Sequence, residues 1–388
     1  MLLNTAFVIQ RGVILVTHIG DACAADAPCR SIRVFVHLAR NKDARTWRAA
    51  LDAGQLVGIN DETPYGYGRA AHMGCEIAFS RSDPERVVSR FARLVFRAVT
   101  GFDLLHALRQ RSAMREADII WTHTESQYLA VAATLLLTGA RTRLLGQTVW
   151  LMDRWPSLGF ARRVMYRRLI ERVDVLTFHS PANLALATVR FPAKQAVLVP
   201  FGIPTEHRLP PRLRASRPIR VLAIGNDQHR DWKTLVATVR DQPDMSLLIL
   251  SGSVPAGLAR GAANIEIRLA RTQAELMRSF DEASVVCVPL RPNLHASGVT
   301  VIQEAVLAGV PVVATDTGGL DAYFAADEVR FAPPGDVQAL RRALIAVTGD
   351  PEAARAQAQR AQARMTGGTL GAEAYIRRHV ELSREILK

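Results

Sequence analysis

Cysteine is scarce: Cys23, Cys29, Cys75 and Cys287 are the only four in 388 residues. No two form a Cys-x-x-Cys pair, and none are spaced like zinc ligands. The pattern argues against a disulfide framework or a zinc ribbon and favours reduced, buried thiols. Long apolar runs are missing too, since no stretch reaches the length that spans a bilayer. Low-complexity tracts, short-period repeats and nucleic-acid-binding motifs are also absent. Nucleic acid is therefore not an expected partner, despite a formal net charge of +13.

What is present is a chain that is 49% apolar and long enough for two domains of ordinary size. The head, "MLLNTAFVIQRGVILVTHIGDACAADAPC", joins an apolar stretch to small residues, as a secretory signal does. Arg11 interrupts that stretch, however, and no positive region precedes it. Residues 1–31 therefore read as an extra leader, with a signal peptide as the alternative. Charge is uneven: residues 1–203 carry 26 Lys+Arg against 16 Asp+Glu, and the remainder 23 against 20. In "RVVSRFARLVFRAV" (86–99) and "ARRVMYRRLIERV" (161–173), arginines interleave with apolar residues at helical spacing. Two readings stand: a solvated helix face, or a surface for anionic lipid or an anionic substrate.

Short β-rich runs alternate with helical patterns almost throughout. The expected strands are 32–39, 75–80, 117–123, 143–152, 173–180 and 196–202, then 219–226, 246–253, 264–270, 284–290, 310–315 and 328–334. Between the two sets lies "IPTEHRLPPRLRASRP" (203–218), rich in proline and arginine, as a linker is. The expected fold class is α/β: two doubly wound, Rossmann-like domains with a cleft between them. The expected boundaries are a first domain 32–203, a linker 204–218, a second domain 219–371 and a terminal helix 372–388. Ligands should gather at the carboxyl ends of the strands.

One segment carries chemistry. Residues 284–315 read strand, loop, helix, strand. Ser297 is a plausible helix N-cap, Gly298 allows close backbone approach, and Gly309 with Pro311 ends the helix. A helix start beside glycine offers free N–H groups and a positive dipole end to phosphate. Glu304 lies six residues on, roughly 9 Å along the axis. A carboxylate there can grip a pair of hydroxyls, as in a ribose. Phosphate at the helix start and a diol at the carboxylate together describe a nucleoside diphosphate.

The run "EAVLAGVPVVATDTGG", from Glu304 onward, resembles the donor-site segment of glycosyltransferases with the B-type two-domain fold, close to family 4 of the retaining enzymes. The resemblance implies that Glu304 holds the ribose hydroxyls and that amides near Gly298, Val299 and Thr300 hold the diphosphate. A first glutamate of that family, eight residues earlier, is Ala296 here; Arg291 or His295 could substitute, or both are plain loop residues. "VLAIGNDQHRDWKTLVATV" (221–239) resembles the family's phosphate-side loop, with Gly225 at the turn, Asn226 for the usual arginine and Arg230 at the lysine position. Arg230, with Lys233 as competitor, would neutralise the leaving diphosphate. Leu269 to Arg271 are implied base contacts. Tyr65, Gly66, Tyr67 and Gly68 resemble the family's glycine loop at the acceptor side of the cleft. The insertion before it, 40–62, has no assignment from spacing. The family's mid-domain histidine is missing from "QTVWLMDRW" (147–155), where Asp153 is the only carboxylate. His123 and Glu125 are further cleft candidates.

The resemblance thus implies a glycosyltransferase that binds a sugar nucleotide in 219–371 and an acceptor in 32–203, with no cofactor beyond that co-substrate. No metal is expected, because no Asp-x-Asp pair stands at a strand end. The basic first half fits a lipid-linked or glycan acceptor at the cytoplasmic face of a membrane, in bacterial exopolysaccharide or surface-polysaccharide assembly. A sugar-nucleotide epimerase and a non-catalytic sugar-nucleotide-binding protein are the alternatives.

Overall fold

The computed structural model describes residues 31–213 and 217–388. The leader expected over 1–31, with Cys23 and Cys29, falls outside the described residues except for its last position. All twelve expected strands form. β1 (Ile32–His37), β2 (Cys75–Phe79), β3 (Ile119–Thr122), β4 (Arg143–Thr148), β5 (Val175–Phe178) and β6 (Gln195–Leu198) make one sheet in the order β2-β1-β3-β4-β5-β6. β7 (Ile219–Ile224), β8 (Met245–Leu250), β9 (Ile265–Arg268), β10 (Val285–Val288), β11 (Val312–Thr315) and β12 (Arg330–Ala332) make the other, in the order β12-β11-β10-β7-β8-β9. Pairing within both sheets is parallel.

The β-branched runs explain this architecture. Every residue of β3, β5, β10 and β11 is buried, as parallel strands covered by helices on both faces must be. The strand order reverses between β1 and β3 in the first sheet and between β7 and β10 in the second. Those are the switch points where crossover helices diverge to opposite faces and leave a crevice. The two crevices face each other. Tyr323 ties the domains together: its hydroxyl donates to His179 O at 2.7 Å and accepts from Phe201 N at 2.9 Å.

The linker is less free than its composition suggests. Leu209 N donates to Leu307 O at 2.8 Å, and Leu209 O accepts from Gln362 Nε2 at 2.7 Å, which ties Leu209 to the second domain, while Glu206 accepts from Arg69 of the first at 2.6 Å. The terminal helix, Ala372–Leu387, returns to the first domain. Tyr375, Ile376, Val380 and Leu382 share a core with Val34, Tyr67 and Trp121, and Trp121 Nε1 donates to Ser383 Oγ at 2.9 Å. Cys75 and Cys287 are buried free thiols. Among the described residues no helix is long and apolar enough to cross a membrane.

Candidate functional site

Two cavities adjoin along the cleft. One, of about 370 Å³, is bordered by the ends of β3, β4 and β5 in the first domain and by Asn226, Asp227, Arg230 and 295–301 in the second. The other, of about 580 Å³, lies between the 51–60 segment and Gln273, Met277, Phe280 and Glu304. Ile59 and Asn60 border both.

Arg230 dominates the first cavity. It is 3% exposed, yet its Nε and Nη1 have no partner. Burial pushes its guanidinium down to about 10, with Asp227 offsetting part of that effect. The side chain lies between two glycines. A Cβ on Gly225 would stand 2.4 Å from Arg230 Nε, and one on Gly298 would stand 2.5 Å from Nη1. Both glycines are therefore required by the guanidinium that crosses them. A buried cation with donors unused is a seat for an anion.

Beside it the helix Val299–Leu307 begins. Its N-cap is Gly298, at φ 83°, with no side-chain cap. Ser297, the expected cap, instead donates its hydroxyl to Asp227 Oδ1 at 2.9 Å. The Val299 amide is engaged by Ala296 O at 3.2 Å, while Thr300 and Val301 border the cavity. An uncapped helix start next to Arg230 adds dipole and amide donors for the same anion.

Glu304 sits two turns along, on the second cavity. It is 8% exposed, and burial raises its carboxyl to about 7, with the Ile59 amide lowering it only in part. That amide donates to Glu304 Oε1 at 2.9 Å, and Gly58 N donates to Gln273 Oε1 at 2.8 Å. The unassigned insertion thus forms the helix Ala44–Asp52 and a loop that crosses the cleft onto the second domain.

Asp153 and His295 come together. His295 Nδ1 and Asp153 Oδ2 are 2.7 Å apart, and Leu294 N donates to Asp153 Oδ1 at 2.9 Å. On the other side, His295 Nε2 lies 3.7 Å from Asp227 Oδ2. Burial opposes charge on this imidazole, but the two aspartates outweigh it and raise its pKa. Burial also pushes Asp227 up, yet the nearby His295 imidazole and hydrogen bonds from the His229 amide and Ser297 hold it well below the usual carboxylate range. Ligand atoms of Asp227, His229 and His295 lie within 4.8 Å of one another, close enough to hold a cation. The expectation of no metal was drawn from sequence signatures and does not see this cluster.

Several expected residues stand elsewhere. Lys233 is exposed on the helix Trp232–Val239 and borders neither cavity. Leu269 and Arg271 border neither; Gln273 and Met277 face the space beyond Glu304 instead. Arg291 is exposed, so of the two substitutes for the missing glutamate only His295 faces the cavity. In the glycine loop only Tyr65 reaches the cleft, stacked on His123 at 3.5 Å between ring centroids. Tyr67 is buried, its hydroxyl bonded to Tyr375 at 2.9 Å. Gly68 packs against Thr63, and Gly66 against Asp61 and Ala372. Glu125 accepts from the Val149 and Trp150 amides, at 3.1 and 3.2 Å, and so closes the turn after β4. His123 does border the first cavity; burial holds it neutral, well below its ordinary range.

Residues not foreseen include Trp47, Asn60, Asp61, Asp227 and His179. His179 was findable: it directly follows the apolar run of β5, as His123 directly follows that of β3. Burial lowers it to about 4.

Two doubly wound domains facing each other across an anion-seeking cleft define the architecture of the glycosyltransferase B fold. Residues 214–350 match the family Glycosyl transferases group 1. Among solved structures the chain is similar to sucrose-phosphate synthase from Thermosynechococcus elongatus (TM-score 0.69, 18% identity, 91% of this chain and 99% of that one). It is similar to HepE from Anabaena in complex with UDP and glucose (TM-score 0.62, 12% identity, 91% and 100%). It is also similar to an α,α-trehalose-phosphate synthase (UDP-forming) from Burkholderia vietnamiensis (TM-score 0.61, 12% identity, 91% and 100%). These likenesses show the fold. No curated protein matches the chain by sequence.

Proposed function

We propose that this protein transfers a sugar from a nucleoside-diphosphate sugar to a glycan or lipid-linked acceptor. The observation that carries the reading is Arg230: a buried guanidinium with unused donors, beside an uncapped helix start and next to the cavity that ends at Glu304. The diphosphate sits on Arg230 and the helix start, the ribose diol on Glu304, and the base in the second cavity. Uridine diphosphate is the first nucleotide to test, because HepE is similar in fold and its structure holds UDP.

The donor sugar then points into the first cavity, towards His123, His179 and His295. As the bond from the sugar to the diphosphate breaks, negative charge grows on the leaving oxygen. Arg230 and the helix dipole stabilise that charge. We assign Asp153, His295 and Asp227 to a relay that orients the imidazole and holds it charged, with no metal and no further cofactor. The anomeric configuration is retained in this reading, in line with the family 4 resemblance. The acceptor enters from the first domain on the cytoplasmic side of a membrane, in polysaccharide assembly.

The test is titration calorimetry with UDP and UDP-sugars, followed by nucleotide-release assays with and without acceptor. Release that requires an acceptor supports transfer. A changed sugar on intact nucleotide without acceptor supports an epimerase, and binding without turnover supports a non-catalytic binder.

A further inference from the structure

The helix Val87–Thr100 is built inside out. Its only buried residue is Arg93, held by Glu85 at 3.0 Å and Asp103 at 2.7 Å. Its large apolar residues point to solvent: Val87 is 84% exposed, Val88 81%, Phe91 69% and Val99 67%. Spaced at about 100° per residue, these four and Val95 fall within an arc of roughly 120°. Arg90 and Arg97 border that arc and are exposed. A soluble protein gains by burying such a stripe, and the helix has instead turned Arg93, paired to two carboxylates outside the helix, inward and the stripe outward.

A second helix extends the surface. Phe160 is 83% exposed and Val164 51%, one turn apart at the start of Phe160–Ile170. The two helices are joined by Arg162, which donates to Ala98 O at 2.6 Å and Val99 O at 3.1 Å. The arginine-rich stretches that read as a basic face are therefore different in detail. Arg162 closes the end of one helix, and Arg163 donates to Pro156 O at 2.6 Å. Arg167 lies over the rings of Trp155 and Phe191, at 5.6 and 5.7 Å. What faces solvent is an apolar patch edged by Arg86, Arg90 and Arg97, with Arg167 and Arg168 exposed further along the second helix.

We infer that this two-helix patch inserts into the surface of an anionic bilayer. The charges at its edge select the occupant. A second copy would bring the same arginines against one another, and so would any basic partner. An anionic membrane takes the apolar arc into its acyl boundary and the arginines at its headgroups. Immediately behind the patch is a polar cavity of about 480 Å³, lined by Arg97, Arg154 and Arg162 and by one carboxylate, Glu125, which accepts from the Val149 and Trp150 amides. It shares Trp150 with the donor cavity. A phosphate-bearing head group drawn from the bilayer has its cationic seat there, next to the donor. Only this last point rests on the glycosyltransferase reading; the docking surface itself does not.

The test is flotation of the full chain with vesicles of equal parts phosphatidylglycerol and phosphatidylcholine, and with phosphatidylcholine alone. The expected result is binding to the anionic vesicles that weakens as salt is raised. Phe91→Asp and Phe160→Asp should each weaken it by more than about tenfold, since each removes a large apolar group from the lipid. UDP binding by the same variants should be unchanged, which separates lost docking from lost fold and from a failed donor site. The inference is overturned if the parent chain does not float, or if it binds neutral and anionic vesicles alike without sensitivity to Phe91→Asp. It is also overturned if the parent is a dimer by light scattering that Phe91→Asp dissociates, because a second copy then covers the patch.

Discussion

The amide of Ile59, in the first domain, donates to the carboxylate of Glu304, in the second, at 2.9 Å. A backbone N–H thus stands where a ribose hydroxyl is expected to donate. The loop carrying Ile59 also shields Glu304 from water, which is why burial raises its carboxyl to about 7. The donor must displace this contact or rearrange around it, and that coupling makes the cleft testable through pH.

Glu304→Gln should stabilise the unliganded protein at alkaline pH. A carboxyl with its pKa raised on folding binds more protons folded than unfolded. Stability is therefore present at low pH and lost as pH climbs from the ordinary carboxyl range towards about 7. The shift corresponds to something on the order of 3 kcal/mol. Denaturation of parent and variant at pH 5 and pH 8 checks this: the two should differ little at pH 5, and the variant should be the more stable at pH 8. UDP affinity should move the other way, falling roughly 10- to 100-fold with the loss of charge-assisted hydrogen bonds.

Gly58→Ala should open the loop. Gly58 has φ +107°, and a Cβ there would stand 2.4 Å from Glu304 Oε1. The substitution costs about 1 kcal/mol or more in backbone strain and pushes the loop off the carboxylate. The expected signs are proteolytic cleavage within 54–61 and a smaller difference in stability between pH 5 and pH 8. A variant that resists protease and keeps the parent's pH profile would falsify the closure.

Arg230→Met should raise the melting temperature of the unliganded protein and abolish UDP binding. It removes an unpaired buried cation, whose lowered pKa marks a folded state that resists the charge. Stabilisation of about 1–3 kcal/mol is expected. Lys233→Ala should change neither quantity, because that side chain is exposed away from both cavities. Calorimetry on the two variants reads the difference directly.

Turnover should survive exhaustive chelation. In the proposed reading Asp153 and Asp227 orient the His295 imidazole and hold it charged without a metal, although Asp227, His229 and His295 stand close enough to hold a cation. Activity measured after chelation, and again with manganese or zinc restored, decides this. Dependence on the added ion would make the cluster a metal seat and overturn the relay.

The strands were legible because their signal is local. A run such as "SVVCVPL" is apolar on both faces, and only a parallel strand between two helix layers buries both. Glu304 and Gly298 were legible for the same reason: one contiguous segment holds the turn, the helix start and the spacing between them. Arg230 was singled out by the resemblance of its loop to the family's, and the structure adds why its neighbours Gly225 and Gly298 carry no side chain.

The rest depended on residues far apart in the chain. Ile59 and Glu304 are separated by 245 positions, and Asp153 and His295 by 142. No periodicity or spacing relates such pairs. Asp153 and His295 looked like two separate loop residues, and the 40–62 insertion had no reading until it crossed the cleft. The arginine-rich stretches showed their charge in sequence but not which side faced out; that was decided when Arg93 found Glu85 and Asp103 and left the apolar arc exposed. By itself the sequence determined the two α/β domains, the helix start and the carboxylate, because caps, turns and alternation act over a few residues. Tertiary structure alone decided which groups are buried, charged or paired, because that turns on which distant segment displaces their water.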